Sequence, residues 1–166
     1  MAKREIERTV QPSLLDRLTD ETPRASADLT TTYAESLRSF KAAVQRDLEW
    51  LLNTRRTPDP SPEMFTEVGK SLYNYGLPDV TSLSRDSLPA RLKLLREVEK
   101  TLTVFEPRLA NVRIALTEGD AEDTRRELRF VVEATLRLDP TPEQVVFDTV
   151  LQFSSGQYAV EEPTDA

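Results

Sequence analysis

The sequence predicts an α+β fold, with helices in the N-terminal half packed on a small antiparallel sheet formed by the C-terminal half. Two observations carry that prediction. Up to Phe105 the apolar residues recur at spacings of three and four, and beyond it they alternate at a spacing of two. Helices first and strands afterwards favour an antiparallel sheet over an alternating parallel one. The prolines reinforce it, because they cluster between the periodic stretches or at their starts. No internal repeat is visible.

The first element is short. Leu14-Leu15-Asp16-Arg17-Leu18 follows Pro12, with Ser13 placed to cap a helical turn. It reads either as a hook that docks on a neighbour or as a small helix covering the chain's own core, and Thr19 to Thr32 reads as a polar loop. From Tyr33 to Thr54, Leu37, Phe40, Val44, Leu48 and Leu51 share one helical face, with Arg46, Glu49 and Asn53 on another side. Thr57-Pro58-Asp59-Pro60-Ser61-Pro62 breaks the helix. A shorter helix is expected over 63–72, before the turn sequence Asn74-Tyr75-Gly76-Leu77-Pro78-Asp79. The next runs over 88–105, capped by Ser87, with Leu88, Leu92, Leu95, Val98, Leu102 and Phe105 as its apolar stripe. Pro107 biases Glu106 away from helical dihedrals and ends it.

Strands follow. Val112, Ile114 and Leu116 alternate with polar or small residues before the turn at Glu118-Gly119-Asp120; Leu128, Phe130, Val132, Ala134 and Leu136 form a second strand. Beyond Asp139-Pro140-Thr141-Pro142, a third strand carries Val145, Phe147, Thr149 and Leu151, and it resumes after Ser154-Ser155-Gly156 as Gln157-Tyr158-Ala159-Val160. The organisation is therefore an N-terminal docking segment over 1–32, one α+β domain over 33–161, and a frayed acidic tail over 162–166.

Composition narrows the function classes. The chain has 166 residues, enough for one core, with 38% hydrophobic and 31% charged residues. It has no cysteine and no histidine, so thiolate metal sites and the commonest general base are absent, and neither a metal nor a cofactor is expected. A net charge of −7 argues against nucleic-acid binding. No apolar run approaches the roughly 20 residues of a membrane span, and the first residues lack the apolar core of a signal peptide, so a cytoplasmic protein is expected.

Three features could carry function. In Phe105-Glu106-Pro107-Arg108-Leu109, an acid and a base flank a rigid proline; with both extended, their side chains project to the same side. They form either a local salt bridge or a bidentate unit for a partner. Trp50 is the sole tryptophan, and it lies among Arg46, Arg55 and Arg56. It is either a core residue or part of an aromatic and arginine contact surface. Gln157, Tyr158, Ala159 and Val160 form a terminal strand whose free edge could pair with a strand from another chain. A carboxylate-only glycosidase drawing on Glu49, Asp79 and Glu106 is the enzymatic alternative, although 29 acidic residues guarantee that some pair looks suitable.

Four blocks, in order, resemble the TssE family of type VI secretion baseplate subunits, which are grouped with the phage baseplate wedge proteins labelled "lysozyme-like". They are Gln11-Pro12-Ser13-Leu14-Leu15-Asp16-Arg17-Leu18, the run from Arg46 to Arg55, the turn from Asn74 to Asp79, and Phe105 to Leu109. The Glu-Pro-Arg element is that family's signature. The resemblance implies a non-enzymatic, cytoplasmic wedge component of a baseplate docked to the inner-membrane complex. Its partners would be the wedge subunits TssF and TssG, with TssK in the same assembly. It would also help initiate TssB–TssC sheath polymerisation around the Hcp tube. It further implies that Glu106, Pro107 and Arg108 are wedge contacts. Leu14, Leu15, Leu18, Arg46, Trp50 and Arg55 are expected as further partner contacts, and Gln157, Tyr158, Ala159 and Val160 as the strand that pairs with the sheath.

Overall fold

A computed structural model describes residues 9–19, 32–58, 65–79, 87–117, 126–139 and 141–161. The expected loop over 19–32, the turn at 118–120 and the tail over 162–166 lie wholly or mostly outside these residues. The elements run α1 (Leu14–Leu18), α2 (Tyr33–Asn53), α3 (Thr66–Gly69), a 3₁₀ turn (Leu72–Asn74), α4 (Leu88–Phe105), β1 (Leu109–Leu116), β2 (Glu127–Leu136), β3 (Glu143–Gln152) and β4 (Gln157–Glu161). The helices fill the N-terminal half, and the sheet belongs wholly to the C-terminal half. The fold is α+β, as the change of period implies.

The chain forms two compact units, Met1–Arg46 and Asp47–Ala166, divided within α2. In the first, the Ser13 hydroxyl accepts the Asp16 N–H at 3.2 Å and caps α1, while the Thr32 side chain and Glu35 bond reciprocally at the start of α2. The Val10 N–H donates to the Ser36 hydroxyl at 3.1 Å, which ties the residues before α1 to α2. Phe40, Ala43 and Val44 are buried along the α2 stripe, and Leu37 is half-buried.

The second unit carries the sheet, ordered β1-β2-β3-β4 and antiparallel throughout. Its strands obey the period of two. Leu128, Phe130, Val132, Ala134 and Leu136 of β2 are buried, as are Val145, Phe147, Thr149 and Leu151 of β3 and Tyr158 and Val160 of β4. The opposite face carries Arg129, Glu133 and Asp148 and is solvated, as one face of an antiparallel sheet commonly is. Leu94, Leu95, Val98 and Leu102 of α4, Leu48, Leu51 and Leu52 of α2, and Leu77, Leu109, Val112 and Phe153 are buried as well, with α4 packed along β1.

Three expectations need correction. Of the helix expected over 63–72, residues 63 and 64 lie outside the described residues, and 65–72 hold only the single turn of α3 and the start of the 3₁₀ turn; the Asn74 amide bonds the Val68 carbonyl at 3.1 Å and closes a compact bend instead. The α4 stripe does not begin at Leu88. Leu88 and Leu92 are exposed, and the buried stripe runs through Leu94, Leu95, Val98, Thr101 and Leu102, centred beside the line that Leu88 and Leu92 define. Finally, β1 is not a plain alternating strand starting at Val112. Leu109 pairs with Leu136, Ala110 with Thr135 and Arg113 with Glu133, so Asn111 and Val112 together oppose Ala134 alone. This bulge places Asn111 at φ 53°, a conformation asparagine tolerates better than most residues. It also lets Leu109 and Val112, three apart, both turn inward.

Candidate functional site

Phe105 to Leu109 form a turn, not the extended segment expected from the sequence. α4 ends when the Glu106 N–H bonds the Leu102 carbonyl at 2.9 Å. Pro107 then takes the second position of a β-turn closed by the Leu109 N–H on the Glu106 carbonyl at 3.1 Å, where its fixed φ is favourable. The Arg108 carbonyl accepts the Arg137 N–H at 2.8 Å, so the turn delivers the chain into the β1–β2 ladder.

The turn brings Glu106 and Arg108 face to face. Arg108 donates from Nε to Glu106 Oε1 at 2.5 Å and from Nη2 to Oε2 at 2.6 Å, a bidentate fork. Its Nη2 also donates to Oδ2 of Asp47, on the C-terminal part of α2, at 2.8 Å. The Glu106 side chain is only 7% exposed, against 21% for Arg108 and 24% for Asp47. The Glu106 hydrogen bonds, followed by its charge and then Asp47, hold the guanidinium charged more firmly than usual. Tyr75 lies close by, its ring edge-on to Phe105 at 5.4 Å, and burial followed by the charges of Asp47 and Glu106 pushes its phenol pKa up. Of the two readings left open for the Glu-Pro-Arg element, this geometry is the local salt bridge, extended by Asp47 into a triad. Pro107 is exposed at its tip.

The block from Asn74 to Asp79 has a separate task. The Leu77 N–H donates to the Thr54 carbonyl at 2.9 Å, and the Arg56 N–H donates to the Leu77 carbonyl at 2.8 Å, pairing Arg55 with Leu77. Gly76, at φ 95°, permits that approach, since a Cβ there would lie 2.2 Å from the Thr54 carbonyl oxygen. Arg55 is exposed, and neighbouring Arg56 pairs with Glu97 of α4 at 3.1 Å.

The remaining expected contacts are on the surface. Leu14, Leu15 and Leu18 are 70%, 54% and 75% exposed, so α1 presents all three and buries none. Arg46 pairs with Asp16 at 2.8 Å beside them. The Ser13 hydroxyl, partly offset by burial, and then Arg46 hold the Asp16 carboxyl below its ordinary range. Trp50 is 55% exposed, which corrects the core reading and leaves the contact-surface one.

β4 is an edge strand, as expected, but its edge is occupied. The Asn53 carboxamide donates to the Tyr158 carbonyl and accepts the Tyr158 N–H, both at 2.8 Å. One side chain thus copies the two bonds of a neighbouring strand. Among the described residues, the buried Tyr158 and Thr149 hydroxyls have no hydrogen-bond partner. Asp47, which completes the triad, and Asn53, which covers the β4 edge, are the residues whose roles sequence reasoning missed. Each sits in a block singled out for other reasons, but their partners lie 61 and 105 positions away.

Both Glu106 oxygens are engaged by Arg108, and the described residues hold no group of three or more carboxylates placed for a metal ion. No helix among them is long and apolar enough to cross a membrane. A family model described as baseplate wedge protein gp25 matches residues 38–141, well over half of the chain, and includes the triad, Trp50, Gly76, β1 and β2. No curated protein and no solved structure matches it.

Proposed function

The chain belongs to the baseplate wedge protein gp25 family, which is also the family of TssE, and on that premise we propose that it is the wedge component of a type VI secretion baseplate, acting structurally and without catalysis. The family places it among baseplate components that assemble with other baseplate subunits. The partners are TssF and TssG in the wedge, TssK in the same baseplate, and the TssB–TssC sheath. The place is the cytoplasmic face of an inner-membrane complex.

The match over 38–141 carries this reading, and the surface supports it. Leu14, Leu15, Leu18 and Trp50 are large apolar side chains left in solvent, and Arg46 and Arg55 stand near them in sequence. Apolar and aromatic anchors beside arginine are what interface centres are made of. The Glu106–Arg108–Asp47 triad acts on this reading as the brace that fixes the α4–β1 turn, so the wedge contact at that corner is made by exposed Pro107 and the outer side of Arg108. The four-stranded sheet supplies an edge on which a sheath strand can begin.

The test is co-purification of tagged full-length chain with TssF and TssG. Retention of both, reduced at least tenfold by Trp50→Ala or by Leu14→Ser with Leu18→Ser, supports the wedge role. Absence of retention sinks it, and release of peptidoglycan fragments by the purified chain favours the glycosidase reading.

A further inference from the structure

We propose that an added strand enters this sheet at β1, along Ile114 to Leu116, and that β4 is closed to strand addition by the side chain of Asn53. This rests on the reading above that the sheet edge starts the sheath, and it assigns which edge does so.

The assignment follows from where the backbone groups point. In an antiparallel ladder, alternate residues turn both N–H and C=O toward the neighbour, and the residues between turn both outward. Tyr158 pairs with Leu151, yet its N–H and C=O are both spent on Asn53, so they face away from β3. By alternation Val160 is the other outward residue of β4, and it too is engaged. A strand arriving here would have to displace the carboxamide, whose two bonds already match those it would offer. Covering an edge in this way is a recognised protection against unwanted pairing.

β1 is different. The Thr117 N–H bonds the Arg129 carbonyl at 3.1 Å, which sets the alternation: Thr117, Ala115 and Arg113 face β2, and Ile114 and Leu116 face outward. Among the described residues, nothing accepts from or donates to the outward backbone groups of these two. The bulge at Asn111 ends this regular stretch on one side. Ile114 and Leu116 are half-buried at the rim of the apolar face, while Arg113 and Ala115 are exposed on the other. The occupant that fits is a short extended segment of sheath protein with an apolar–polar–apolar pattern. Its apolar residues would cover the rim beside Ile114 and Leu116, and its polar residue would lie near Arg113.

The experiment is residue-resolved amide hydrogen exchange on the full chain, alone and with purified TssB–TssC, together with binding of two variants. Slowing of at least tenfold at Ile114 and Leu116, with Tyr158 unchanged, is expected. Ile114→Pro removes an outward donor without removing a bond to β2, and should weaken binding about tenfold. Asn53→Ala should leave binding within about twofold while Tyr158 exchanges faster. Slowing at Tyr158 but not at Ile114 and Leu116 would overturn the assignment, as would tighter binding by Asn53→Ala. If Ile114→Pro fails to fold, the exchange pattern of the native chain decides. Binding with neither edge protected refutes the edge assignment alone. No binding by any form refutes the sheath reading, and the assignment falls with it.

Discussion

Replacing Arg108 with alanine tests the brace at the α4–β1 turn. The substitution removes the fork on Glu106 at 2.5 and 2.6 Å and the bond to Asp47 at 2.8 Å. The two carboxylates it abandons are not equivalent. Glu106 is 7% exposed and, among the described residues, keeps only the weak backbone N–H of residue 108 at 3.4 Å, so its charge is left buried with no counterion among them. Stranding one member of a buried pair costs about 3–5 kcal/mol. Arg108 itself is about one-fifth exposed, which puts the expected loss near the lower end, about 3 kcal/mol. Asp47 is 24% exposed and regains water readily, so Asp47→Ala should cost only about 1 kcal/mol. Urea denaturation followed by circular dichroism reads both. With a slope of about 2 kcal/mol per molar, Arg108→Ala lowers the midpoint by roughly 1.5 M and Asp47→Ala by roughly 0.5 M. Glu106→Ala combined with Arg108→Ala should cost less than the sum of the single changes by about 1.5–3 kcal/mol, since no buried charge is left alone. A loss under 1 kcal/mol for Arg108→Ala, or full additivity of the pair, would refute the brace.

Three further outcomes follow from the geometry. Gly76→Ala should lose about 3 kcal/mol or more and melt several degrees lower, because its Cβ meets the Thr54 carbonyl at 2.2 Å and φ is 95°; an unchanged melting temperature contradicts this. Thr149→Val should gain about 1 kcal/mol in the same melts, since it removes a buried hydroxyl that has no partner among the described residues; destabilisation would mean that the hydroxyl is bonded. For α1 the variable is pH. Asp16 is held below its ordinary value of 3.8, so its contribution is present above that pH and is lost as pH falls through the depressed folded value. The amides of Arg17 and Thr19, bonded to Ser13 and Leu15, should therefore lose exchange protection below about pH 4. Protection that is flat down to pH 2 would contradict the role of Asp16.

The sequence was most legible where one period ran long enough to be unambiguous. α2, β2 and β3 show their buried residues directly, because burial on one face forces a spacing of three to four or of two. It was least legible where a single residue breaks the period. The bulge at Asn111 looks like ordinary polar sequence, and only pairing with β2 reveals the extra residue. Leu88 and Leu92 fit the α4 stripe perfectly well in sequence, yet both are exposed. Within the candidate site, Glu106 and Arg108 could be matched because they are two residues apart. Asp47 and Asn53 could not, since their partnerships are created by tertiary packing over long separations. Trp50 illustrates the reverse case: a lone tryptophan on a helix is usually buried, so its sequence position left two readings open, and only the structure shows it half in solvent.

Isolating assembled baseplates through a tagged TssK and quantifying each subunit by mass spectrometry shows whether the chain is a resident structural part of a baseplate. The expected result is this chain in a fixed ratio to TssF and TssG, retained through high-salt washing. Its absence from particles that contain both would contradict the account.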